Sequence, residues 1–104
     1  MIHVRLLKSF LVSGGSDLDS HTDAVMDELI KLEGRNIMDA DLSADLDRHI
    51  VELSVIASAE SFDEAVSCAD AAIRTAIHAA GGSTPKWGRV NYEPQKSEAD
   101  LVTA

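Results

Sequence analysis

Residues 49–82 read HIVELSVIASAESFDEAVSCADAAIRTAIHAAGG, and their hydrophobic period changes once, near Ser61. Up to Ala59 the apolar side chains alternate in direction, which predicts a β-strand. One side of this strand carries Val51, Leu53, Val55 and Ala57. After Ser61 the apolar residues recur at helical spacing, and Ser61 with Glu64 forms a capping-box pattern. A strand that leads directly into an amphipathic helix, ended by Gly81 and Gly82, therefore decides the architecture.

Four further elements surround this pair. Alternation predicts a first strand at Ile2–Val12, a second at Asn36–Ala44 and a short last strand at Trp87–Tyr92. A first helix is expected to begin near Asp17–Ser20 and to stop at Gly34. The resulting order β-α-β-β-α-β predicts an α+β, ferredoxin-like sandwich, an antiparallel sheet with two helices on one face. Residues 1–92 would form one domain, and the polar residues 93–104 a flexible tail.

The stretch Ile73–Trp87, IRTAIHAAGGSTPKW, resembles a segment of small uncharacterised bacterial proteins of ferredoxin-like fold. The resemblance covers one helix end and the loop after it, and it implies no known activity. A shared fold of this kind does not specify function either, because the same plan serves enzymes, regulators, RNA-binding proteins and metal carriers.

The charge balance excludes several classes of partner. The 104 residues carry 9 Lys and Arg against 18 Asp and Glu, a formal net charge of -9. Binding to nucleic acid or to an anionic membrane depends on basic side chains, so neither partner is expected. The apolar run at Leu6–Val12 is too short for a membrane span. The single Cys68 excludes an intramolecular disulfide, and a cytoplasmic location is the simplest expectation.

The acidic residues around the turn between the second and third strands are a candidate metal site. Asp41, Asp45 and Glu52 match ligand positions of a calcium-binding loop, but Leu46 stands where its sharp turn requires glycine. Alternation instead places Asp39 and Asp41 on the solvent side of the second strand, which explains them without a metal ion.

The histidines and the cysteine do not form a recognisable catalytic or metal-binding motif. His3, His21, His49 and His78 show no zinc-ligand spacing. Cys68 is predicted in the middle of a helix beside Asp70, an environment that disfavours a reactive thiolate. The sequence thus predicts no catalytic residue, no metal and no cofactor.

The side of the sheet away from the helices carries the main functional hypothesis. Both faces of the first and third strands are apolar, so a patch rimmed by polar groups is expected to be covered. Its predicted interface residues are Arg5, Leu7, Leu11, Ile37, Ile50, Glu52, Ser54 and Ile56. The leading interpretation is a small noncatalytic binding or oligomerisation module that uses this face for a homodimer, a protein partner or a small ligand.

Two alternatives belong to other functional classes. The first is a small dimeric α+β enzyme with a pocket between sheet and helices, for which Lys8, Thr22 and His49 are the polar residues predicted to point inward. The second is an acidic decoy that occupies a basic surface of a partner, with an affinity that salt would weaken.

Overall fold

A computed structural model describes residues 1–13, 18–34, 36–80, 82–83 and 90–102. The elements in chain order are β1 (Ile2–Ser13), α1 (Leu18–Leu32), β2 (Ile37–Asp45), β3 (Ile50–Ala59), α2 (Phe62–Ala79), β4 (Gly82–Ser83) and β5 (Val90–Leu101). They form one sheet in the order β2-β3-β1-β5-β4. The β2–β3, β3–β1 and β1–β5 pairs are antiparallel, and the two-residue β4 adds a parallel pair at the edge. The predicted ferredoxin-like sandwich is confirmed.

The core lies between the helices and one face of the sheet. Because strand residues alternate in direction, even-numbered residues of β1 and odd-numbered residues of β3 point to the helices. Fully buried members include Val4, Leu6, Val51, Leu53 and Val55. The helix α2 begins as predicted, since the Ser61 side chain accepts a hydrogen bond from the Glu64 backbone N–H at 3.2 Å. Four of the six buried residues of α2 are alanines.

The strand β2 contains a bulge that the sequence interpretation missed. Its register shifts by one residue between Met38 and Asp41, and Asp39 has a left-handed φ of 51°. Ile37 pairs with Ala57 and is only 8% exposed in the core. The prediction that Ile37 lies in the interface is therefore wrong. The extra residue in β2 reverses the direction in which the side chains before the bulge point. Met38 lies on the outer face instead.

The C-terminal segment also differs from the expectation. The predicted strand at Trp87–Tyr92 and tail from Glu93 are replaced by β5, which pairs with β1 from Asn91 to Leu101. Residues 87–89 and 103–104 lie outside the described residues. The pairing shifts between Lys96 and Pro94, so proline, which has no N–H to donate, stands at an irregularity of the ladder. Most residues of β5 are polar, so the sequence shows no hydrophobic alternation that would predict this strand.

The two helices do not resemble membrane spans. Within the part of the chain that the structure describes, neither is long and apolar enough to cross a bilayer.

Candidate functional site

The outer face of the sheet, defined as the face away from both helices, carries most of the predicted interface. By register and alternation it displays Arg5, Leu7, Leu11, Ile50, Glu52, Ser54 and Ile56. Its apolar residues differ widely in exposure. Ile56 is 5% exposed, whereas Leu11 is 38% and Met38 is 37% exposed. The apolar surface of this face is therefore interrupted rather than continuous.

A pocket of about 430 Å³ opens at one end of this outer face. One row of residues across four strands builds it. Ser9 on β1 stands opposite Glu52 on β3 and opposite Lys96 on β5, and Ser43 on β2 stands opposite Glu52. Asp45 and Arg48 lie at its rim, from the end of β2 and the turn that follows. We call this site the outer pocket.

Hydrogen bonds and ion pairs fix the polar groups of the outer pocket. The buried Ser9 hydroxyl donates to Glu52 Oε2 at 3.1 Å. Lys96 Nζ lies 2.9 Å from Glu98 Oε1, and Arg48 Nε lies 3.7 Å from Asp45 Oδ2. The hydrogen bond to Glu98 and its negative charge raise the pKa of Lys96, with a smaller contribution from the charge of Glu52. Lys96 is therefore firmly cationic at neutral pH.

A second polar site lies on the opposite face, where β1 meets α2. Lys8 interrupts the apolar side of β1, and its side chain is only 15% exposed. Its Nζ donates to Asp70 Oδ1 at 2.7 Å, and Arg74 Nε lies 3.3 Å from Asp70 Oδ2. The Lys8 ammonium also lies 5.6 Å from the centre of the Phe10 ring. Two cations share one carboxylate, so this Lys8 site keeps one net positive charge in an acidic protein.

The structure does not gather the three residues predicted to line an inner pocket. Lys8 occupies the site just described, whereas Thr22 is buried in α1 at 3% exposure. His49 lies exposed in the turn before β3 with a φ of 58°. The sequence signal for the Lys8 site was present in two places, the broken alternation at Lys8 and the helical i,i+4 pair of Asp70 and Arg74.

The other histidines and the cysteine occupy separate places. His3 Nδ1 and the Ser58 hydroxyl are 2.5 Å apart on the outer face. Burial lowers the pKa of His21, and a hydrogen bond with the Ala80 backbone partly opposes this. Cys68 is a half-buried free thiol. Among the described residues, no group of three or more His, Cys, Asp or Glu side chains is arranged to hold a metal ion.

Comparison with known proteins yields a likeness of fold. No protein-family model matches the chain, and no curated protein matches it in sequence. A solved structure that is similar over nearly the whole length shows this likeness. It is a protein from Chloroflexus aurantiacus J-10-fl that is proposed to be an antibiotic biosynthesis monooxygenase. The TM-score is 0.62 at 10% sequence identity, and the match covers 98% of this chain and 94% of the other.

This neighbour corrects the functional interpretation drawn from the sequence. The chain was interpreted as a noncatalytic module that binds through the outer face. The solved structure that shares this fold over 98% of the chain is a proposed enzyme, so the fold does not support that interpretation and the noncatalytic module is not carried further.

Proposed function

We propose that the chain is a small enzyme that oxygenates a small organic molecule at the Lys8 site. The observation that carries the proposal is Lys8 itself, a cation on the helix-facing side of the central strand at 15% exposure. Desolvating a lysine is costly, and a packed core position favours an apolar residue. A functional use of the charge would explain why a cation stands there.

The arrangement suits a substrate that becomes an anion. Asp70 is shared between Lys8 and Arg74, so one unit of positive charge is left to stabilise negative charge that develops on a ligand. Arg74 is 64% exposed, which leaves the site accessible from solvent on that side. Asp70 holds Lys8 in place, and as the carboxylate that contacts Lys8 it is the group that this proposal assigns to accept a proton from the substrate.

Oxygenation is the reaction class that the structural neighbour is proposed to perform. A substrate SH₂ that supplies its own two electrons would react as SH₂ + O₂ → SO + H₂O. One oxygen atom enters the substrate, and the other leaves as water with the two hydrogens. Loss of a proton from the substrate before it meets dioxygen would place negative charge beside Lys8, where the site stabilises it.

The test measures oxygen consumption with a panel of small hydroquinones, naphthols and related easily oxidised compounds. We expect uptake of one oxygen atom from ¹⁸O₂ into at least one product. The Lys8→Met variant should lose about 100-fold or more in kcat/KM, as expected when a charge-stabilising donor is removed. The matched control is Lys31→Met, which removes an exposed lysine from α1. A panel without turnover, or equal activity of the Lys8→Met variant, would overturn the proposal.

A further inference from the structure

We infer that the outer pocket is a separate binding site for a small organic cation, a primary or secondary amine attached to an apolar group. This inference does not depend on the proposed oxygenase activity. Lys8 and Ser9 are consecutive in β1, so their side chains point to opposite faces of the sheet. The outer pocket and the Lys8 site are therefore different sites on the two sides of one strand.

The dimensions and position of the outer pocket fit a small molecule. Its volume of about 430 Å³ lies within the range of ligand pockets in proteins. Ile50 supplies an apolar wall beside the polar row, so a ligand with both an apolar body and one polar end is matched.

Glu52 lines the pocket with a carboxylate that can accept further hydrogen bonds. Ser9 is 6% exposed and donates to Glu52 Oε2, which fixes one oxygen of the carboxylate. An ionised carboxylate can accept about four hydrogen bonds. A neutral hydroxyl orients Glu52 but does not form an ion pair with it. A ligand ammonium that donates to Glu52 would supply both the hydrogen bonds and the charge.

The cations around the pocket are already matched by other carboxylates. Arg48 is paired with Asp45, and Lys96 with Glu98. The charged residues that line the pocket are Asp45, Arg48, Glu52 and Lys96. Among the described residues, Glu52 has no ion-pair partner within 4.0 Å, whereas the other three each have one. Lys96 acts on Glu52 only through longer-range attraction. An anionic ligand would compete with Glu98 and Asp45 for these cations, whereas a cationic ligand would meet no such competitor at Glu52.

The long-range field favours the same ligand charge. The chain carries a net charge of -9, and Glu98 and Glu93 stand on β5 opposite Leu7 and Leu11 of the outer face. Negative potential over this surface raises the local concentration of cations and repels anions. Charge and geometry therefore point to one ligand class.

The test titrates the ¹⁵N-labelled protein with three probes of similar shape, benzylamine, benzyl alcohol and benzoate. Amide shifts around Ser9, Glu52 and Lys96 should respond to benzylamine more strongly than to the other two. The Glu52→Gln variant should bind benzylamine about tenfold or more weakly, since hydrogen bonds to charged groups contribute about that much. The control variant Glu60→Gln removes an exposed carboxylate that does not line the pocket and should bind normally.

Two results would overturn the inference. One is equal affinity for benzoate or benzyl alcohol, and the other is unchanged benzylamine binding by a folded Glu52→Gln variant. A spectrum with the wild-type dispersion shows that the variant is folded. If it is not, Ser9→Ala serves instead and should weaken benzylamine relative to benzyl alcohol. Lys8→Met should bind benzylamine like the wild type, so failure of the oxygenase proposal leaves this test intact.

Discussion

The ion pair between Lys8 and Asp70 joins the central strand to α2, and a double-mutant cycle can measure its contribution to stability. The variants are Lys8→Met, Asp70→Asn and the two combined. Asp70 also contacts Arg74, so the single change at Asp70 removes two interactions, whereas the cycle isolates the coupling to Lys8. Unfolding in urea gives the free energy of each variant.

The structure sets the expected magnitude between two limits. The two side chains are 15% and 31% exposed and their atoms approach to 2.7 Å, so the pair is neither fully solvated nor fully buried. Exposed pairs contribute about 0.2–1 kcal/mol, and breaking a buried pair costs about 3–5 kcal/mol. We expect a coupling free energy of about 1.5–2 kcal/mol, in the lower part of the range of about 1.5–3 kcal/mol for a hydrogen bond to a charged group.

A second cycle on an exposed pair provides the comparison. Lys31 is 71% exposed and lies 3.2 Å from Glu28 one turn away in α1. Its coupling should be about 0.2–0.5 kcal/mol. A coupling for Lys8 and Asp70 no larger than this value would refute the reasoning, because solvent would then screen the pair and its buried position would have no energetic effect.

Three further predictions concern other parts of the fold. Ile37→Asp should cost about 3 kcal/mol or more in urea unfolding because it places a charge in the core, whereas Met38→Asp should change stability by about 0.5 kcal/mol or less; equal effects would contradict the bulge in β2. Burial lowers the pKa of His21 in the folded state below its ordinary value of 6.5. As the pH falls through 6.5, the unfolded state therefore binds more protons than the folded state, and the free energy of unfolding should decrease. His21→Gln should flatten that slope between pH 7 and the lowered pKa. Ser61→Ala should destabilise the protein by about 1 kcal/mol, as loss of an N-cap does, and a neutral effect would exclude the cap.

The parts of the fold that follow from local sequence were predictable. The alternation through Val51, Leu53 and Val55 and the cap at Ser61 each depend on near neighbours in the chain. The facing of Ile37 was not predictable in this way. It depends on where β2 contains an extra residue relative to β3. Asp39 alone does not predict that position, because aspartate occurs in turns as well as in left-handed conformations.

The last strand escaped prediction for a related reason. Lys96 and Glu98 face outward, but Ser97 on the other side is also polar, so the residues of β5 give no hydrophobic alternation. Long-range pairing with β1 orders this segment, and pairing of that kind leaves little trace in the local sequence. The candidate sites share this limitation, because each of them joins residues that are far apart in the chain.

The net charge of the chain does not predict which ligand each site binds. A net charge of -9 favours cationic ligands at every site, yet the two faces of β1 differ in charge. On the helix side Lys8 and Arg74 share one carboxylate and leave positive charge, whereas on the outer side Glu52 has only the Ser9 hydroxyl as a close partner among the described residues. Alternation in β1 sends Lys8 and Ser9 to opposite faces, and pairing in the sheet brings each its own neighbours. A single strand thus separates a site that suits an anion from one that suits a cation.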